Sequence, residues 1–135
     1  MQDYFGTPIA FPDFCGLKPV HAEPGKVILS LDLQPHHANQ LGIPHGGVLL
    51  TLLDTALGCS ARVTTGHTVM TVDIQTAFIA PGKGKLTAEG RVVRAGRSLV
   101  FTEGEVRDAS GQIIAKATAV MKTIRKSEGT PPEKP

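Results

Sequence analysis

An aspartate interrupts an apolar run that is otherwise built for the inside of a domain. From Val48 to Ala61 most residues are aliphatic or small, yet Asp54 stands near the middle. The run follows a loop rich in glycine and proline, Asn39-Gln-Leu-Gly-Ile-Pro-His-Gly-Gly47, and no proline recurs until Pro81. Pro44 and the Gly46-Gly47 pair mark the change from loop to helix. The helix is predicted from about Gly46 to Val63, with Gly66 as its C-cap. A helix apolar almost all round belongs in the middle of a domain. An ionised carboxylate there is costly unless something pairs with it. That conflict between residue type and position is the strongest functional signal in the chain.

The start of such a helix has its own chemistry. Backbone N–H groups in the first turn lack intrahelical partners, and the helix dipole favours negative charge there. Gly46 and Gly47 carry no side chain, so a ligand oxygen can approach those N–H groups closely. They are a candidate oxyanion hole. Asp54 comes eight residues after Gly46, a separation of roughly 12 Å at 1.5 Å rise per residue. One scissile carbonyl cannot touch both groups of the same helix. If both act in one reaction, two chains must each supply one, and an active site at a dimer interface is expected. Gly47, Thr51, Asp54 and Gly58 share one helix face, small and polar enough for close approach of a ligand or second helix. The plainer alternative is a simple glycine turn followed by a paired core acid.

After the helix the period changes from helical to twofold. Strands are predicted over His67–Ala80, Lys85–Arg94, Ser98–Arg107 and Gln112–Arg125, with turns at Pro81-Gly82, Ala95-Gly96 and Asp108–Gly111. Lys26–Leu33 reads as an earlier strand. Gly90 and Gly104 lie within strands, where glycine often marks close approach of another backbone, and the central helix is the natural neighbour. One strand, a long apolar helix and four further strands make an α+β pattern, a sheet curling around one helix. Residues 1–24, with Phe5, Phe11 and Phe14 among Gly, Pro and Asp, read as a short helix or irregular cap. The domain proper is placed at 25–126, and 127–135 is expected to be disordered.

Composition excludes several classes. A length of 135 residues suits one domain with a proper core, and a net charge of +2 is too weak to argue for nucleic acid. One Tyr and no Trp leave no aromatic platform for stacking bases. Cys15 and Cys59 form no framework, which suits a reducing compartment, and no signal peptide is evident, so a cytoplasmic location is expected. No apolar run reaches the roughly 18 residues of a membrane span. His36, His37 and His45 fit no zinc-ligand spacing, so no metal is expected.

Asn39-x-x-Gly42-x-x-His45-Gly46-Gly47 followed by Asp54-x-Ala56 resembles the signature of hotdog-fold acyl-CoA thioesterases of the PaaI-like branch. The similarity continues through Thr71–Pro81 and Arg94-Ala-Gly-Arg97-Ser98 and covers roughly residues 25 to 125. The resemblance implies a hotdog fold, with one long helix wrapped by a curved antiparallel sheet of five to six strands. It implies hydrolysis of an acyl-CoA to a free acid and CoA, with no cofactor, in a homo-oligomer that is at least a dimer and by resemblance a dimer of dimers. It implies that Asp54 is nucleophile or general base and that the Gly46 N–H polarises the thioester carbonyl. Asn39 and His45 would orient the acid, the water or the carbonyl, and Thr71 would help hold the water.

Each role has a structural counterpart. His45 can simply hold the helix start through a backbone bond, Asn39 can form a turn, and Thr71 can be a good strand former. Arg94, Arg97 and Ser98, with Lys83 and Lys85, are candidate contacts for the CoA phosphates, or solvated strand and hairpin ends. Gly47 belongs with the substrate site, and Leu50, Leu53, Leu57 and Phe78 are candidate liners of an acyl pocket between two chains. The rival from another class is a non-catalytic acyl-CoA or lipid-binding module on the same scaffold, which would bind CoA esters without turnover.

Overall fold

A computed structural model describes residues 1–125. Its elements are α1 (Ala10–Cys15), β1 (Lys18–Glu23), β2 (Lys26–Asp32), a 3-10 turn at Pro35–His37, α2 (Gly46–Thr65), β3 (Thr68–Phe78), β4 (Lys85–Ala95), β5 (Leu99–Arg107) and β6 (Ile113–Ile124). The six strands form one antiparallel sheet in the order β1-β2-β4-β5-β6-β3, and α2 lies along its concave face. This is the hotdog architecture.

Twofold alternation explains why the sheet takes the helix on one face only. Val27, Leu29 and Leu31 of β2 pair in register with Gly90, Ala88 and Leu86 of β4, which face Gly104 and Val106 of β5. This inward set is buried, and Leu52, Leu53, Ala56 and Leu57 of α2, all at 0% exposure, pack onto it. Each fully buried leucine contributes about 1.5–3 kcal/mol relative to exposure. The glycine expectation holds at Gly90: a Cβ there would meet the Ala56 carbonyl oxygen at 2.6 Å and Leu57 N at 3.0 Å. At Gly104 a Cβ would meet the Glu89 carbonyl and, at 3.1 Å, Leu57 Cδ2. Gly90 thus admits the backbone of α2, and Gly104 beside it on the next strand admits the Leu57 side chain.

Three expectations change. The segment read as a cap contains, besides α1, a sixth strand: β1 pairs with β2 from Lys18↔Ser30 to Glu23↔Lys26. Its own residues are mostly exposed and weakly patterned, and only the partner strand defines it. Second, α2 is not enclosed all round. Leu50, Thr51, Asp54, Thr55, Gly58 and Arg62 remain partly or fully exposed on the side away from the sheet. Third, α2 runs to 20 residues and is long and apolar enough to cross a membrane by length and composition alone. Its apolar face is spent on the sheet, as expected of a core helix. The tail at 127–135 lies outside the described residues.

The outward face of the sheet carries a charge cluster. Arg91 donates bidentately to Glu105 at 2.7 and 2.8 Å and to Glu89 at 2.8 Å. The Arg91 guanidinium holds the Glu105 carboxyl below the usual carboxylate range, against the opposing effect of burial.

Candidate active site

The site begins where loop becomes helix. His45 is the N-cap of α2, with extended backbone at φ −65° and ψ 140°. Its Nδ1 accepts from the Gly47 N–H at 2.8 Å. An accepting Nδ1 places the ring proton on Nε2 and leaves the imidazole neutral. The Gly47 N–H is therefore occupied, whereas the Gly46 N–H has no acceptor among the described residues. The free donor at the helix start is Gly46, where the dipole adds positive potential.

Asn39 builds the preceding turn. Its Oδ1 accepts from Leu41 N at 2.9 Å and Ile43 N at 3.3 Å, and its carbonyl accepts from Gly42 N at 3.0 Å. Gly42 takes the left-handed conformation that this turn needs, at φ +77°. The Asn39 amide Nδ2 donates to nothing among the described residues.

Asp54 sits half-buried two turns further along α2, beside β3. The Thr71 hydroxyl donates to its Oδ1 at 2.6 Å; Met121 Sδ lies 3.3 Å from the same hydroxyl. No Lys, Arg or His forms an ion pair with Asp54 among the described residues. It lines a cleft of about 550 Å³ between α2, β3 and the N-terminal segment. Cys59 lines the same cleft, but burial pushes its thiol pKa up, so it is protonated near neutral pH and is no nucleophile.

The two halves of the expected site occupy different clefts. Asp54 and Thr71 open into the first; Asn39, Gly46 and Phe78 line a second of about 400 Å³ at the helix N-terminus. One chain therefore displays an acid at one place and a peptide donor at another.

Other candidate residues divide. Leu50 lines the first cleft, but Leu53 and Leu57 do not: both are 0% exposed and face the sheet. Helical phase decides this, because they are turned roughly 60–100° round the helix from Asp54, to the side packed on the sheet. Phe78 lies over Gly46, its ring 3.4 Å from where a Cβ would stand, and belongs to the second cleft. Lys83 precedes β4 while Arg94, Arg97 and Ser98 lie at its far end. Ten residues of strand hold them roughly 30 Å apart, so one chain does not gather all four around one phosphate. Their side chains are exposed. Among the described residues no three His, Cys, Asp or Glu side chains come together as metal ligands. Sequence reasoning missed Arg62, Ile9 and Phe11, which line the Asp54 cleft; no local pattern ties the N-terminal segment to α2.

A long helix on a curved antiparallel sheet, with a free peptide donor at its start and an acid two turns on, defines a hotdog-fold hydrolase. The family model of the Thioesterase superfamily matches residues 41–115, and the chain belongs to that superfamily. It is a thioester hydrolase.

Among its relatives, human acyl-coenzyme A thioesterase 13 is 33% identical over 104 residues, covering 72% of each chain. The structure of smu.793 from Streptococcus mutans UA159, bound to acetyl CoA, is 30% identical with a TM-score of 0.75, covering 80% of this chain and 88% of that one. The Escherichia coli PaaI protein, from the phenylacetic acid degradation operon, shares the fold at a TM-score of 0.82 and 20% identity, covering 87% of this chain and 86% of that one.

Proposed function

We propose that this protein hydrolyses acyl-CoA thioesters, with a medium-chain or aromatic acyl group, at a site shared by two copies of the chain. The observation that carries the reading is the separation of Asp54 and Gly46 into two clefts on one helix. A twofold dimer unites the halves, because an isologous contact presents each cleft to the other's complement. β3 supplies the surface for it. It is the last strand of the sheet, eleven residues long, and one edge lacks a partner among the described residues. Met70 and Val72 are exposed there, and long apolar edges invite pairing. Thr71 and Asp54 lie at that edge.

In the shared site the thioester carbonyl accepts from the Gly46 N–H of one protomer and faces Asp54 of the other. The Asp54 carboxylate takes a proton from water as the water oxygen attacks the carbonyl carbon, and returns it to the thiolate when the C–S bond breaks. Alternatively it adds to that carbon itself, the C–S bond breaks to leave an anhydride, and water then hydrolyses the anhydride and supplies the thiolate's proton. The Gly46 N–H stabilises the oxyanion. By either route the products are the free acid and the CoA thiol. Thr71 holds Oδ1 of Asp54 and directs the other oxygen at the reacting atom. His45 acts by fixing the helix start, and Nε2–H and the Asn39 amide are the remaining donors for water or carbonyl. Arg94, Arg97 and Ser98 of one hairpin are the contacts proposed for CoA phosphates. Thiol release from acetyl-, hexanoyl-, decanoyl- and phenylacetyl-CoA tests the reading. Turnover should fall at least a hundredfold in Asp54→Ala; undiminished turnover would remove Asp54 from the mechanism.

A further inference from the structure

The acid's cleft has a wall built by the N-terminal segment. Residues 1–16 cross over α2, and Ile9, Phe11 and Pro12 form the side of the cleft opposite Asp54 and Gly58. Cys59 and Arg62 line it further along α2. Arg62 comes eight residues after Asp54, roughly 12 Å along the helix. The Phe11 ring is 62% exposed in the cleft mouth, an apolar surface without a covering partner among the described residues.

Arg62 also fastens this wall. Its Nη1 donates to the Phe5 carbonyl at 3.1 Å and its Nη2 to the Tyr4 carbonyl. Phe5 is the one non-glycine residue with positive φ among those described, at +58°. Such a conformation persists only where the surroundings hold it, and here Arg62 holds it together with bonds inside the bend, from Tyr4 N to the Thr7 carbonyl and from Gly6 N to Asp3 Oδ2, both 2.8 Å. The segment has independent anchors at either side of the bend. Tyr4, fully buried, donates its hydroxyl to the Leu17 carbonyl at 2.7 Å, and His37 Nε2–H donates to the Cys15 carbonyl at 2.7 Å. Removing the Arg62 side chain therefore unties the bend from α2 without releasing the segment.

From this geometry we infer that the N-terminal segment, positioned by Arg62, sets which acyl groups the enzyme accepts. The inference rests on the acyl-CoA reading above. With the thioester at Asp54, the acyl group runs toward Arg62 between α2 and the Ile9–Phe11–Pro12 wall. Arg62 is a positioning residue; Ile9 and Phe11 touch the acyl group.

The experiment compares kcat/KM for acetyl-, hexanoyl-, decanoyl- and phenylacetyl-CoA in the full-length wild type, Ile9→Trp, Phe11→Ala and Arg62→Ala. Ile9→Trp fills the cleft and should lower the decanoyl-to-acetyl ratio at least tenfold. Phe11→Ala and Arg62→Ala should raise that ratio or move the optimum to a longer chain. Lys116→Ala, on the outward sheet face, is the control and should keep the wild-type ratio. Opposite shifts in filling and opening variants support the inference, whereas four superimposable profiles overturn it. If Arg62→Ala fails to fold, the Ile9 and Phe11 variants decide alone. A wild type that turns over none of the four esters defeats the acyl-CoA reading instead. Calorimetric binding of decanoyl-CoA against acetyl-CoA then judges the wall, and equal affinity ratios in all variants overturn it.

Discussion

At the scale of single residues, Gly46 offers a clean test of a peptide donor. It is the first residue of α2, and proline is favoured at that position because only a free N–H is lost. His45 already has the extended backbone that a residue before proline needs. Gly46→Pro should therefore fold with little change in Tm and lose about 10²–10³ in kcat; full activity by thiol release would show that another group meets the oxyanion. His45 separates along similar lines. His45→Ala removes the cap and should cost about 1 kcal/mol in chemical denaturation, whereas His45→Asn restores a capping oxygen. If His45→Asn recovers stability without activity, the ring acts beyond capping. Asn39 and His45 were legible as polar loop residues at set distances from Gly46. What was not legible is that the Asn39 oxygen is spent on its own turn, because an Asx turn depends on backbone geometry several residues away.

Elements carry different constraints. At Gly90 the backbone of α2 approaches the backbone of the sheet, so no rotamer change can relieve a side chain there. Gly90→Ala puts a methyl 2.6 Å from the Ala56 carbonyl. It should destabilise by about 1–3 kcal/mol, read from denaturant midpoints; a neutral effect would mean that the helix moves away freely. On the opposite face Arg91 neutralises glutamates on two strands. Arg91→Met should cost about 1–2 kcal/mol at pH 7, since it leaves clustered half-buried carboxylates without a cation. The sign of the pH dependence follows from the depressed Glu105 carboxyl. Stability from that group is present above the unfolded carboxyl pKa near 4.3 and is lost as pH falls through the lower native value. The mutant lacks this contribution, so the gap between wild type and mutant should hold from pH 7 to about pH 5 and narrow as pH falls further toward about 3 in thermal melts. The strands β3 to β6 were readable from the twofold period and β2 from a partial alternation, with ends within two residues of those observed. β1 was not: its exposed residues carry no alternation, and β2 alone gives it a place.

For the whole molecule, the central question is how two half-sites become one. Mixing Asp54→Ala with Gly46→Pro protein and allowing subunits to exchange should restore about a quarter of wild-type activity. Half of the dimers are mixed, and each holds one intact site of two. Proven exchange without recovery would place the reaction within a single chain. The sequence alone determined the helix on its sheet, the glycine–helix contact and the spacing of acid and donor, because these follow from residue periods and a fixed rise per residue. It also determined that one helix could not bring both groups to one carbonyl. Tertiary structure decided which leucines face the sheet and which the cleft, that the Lys83 and Arg97 ends of β4 lie far apart, and that residues 1–16 wall the cleft beside Asp54. Those outcomes depend on helical phase against a particular sheet and on contacts between segments some fifty residues apart, as between Arg62 and Phe5, for which local sequence holds no record.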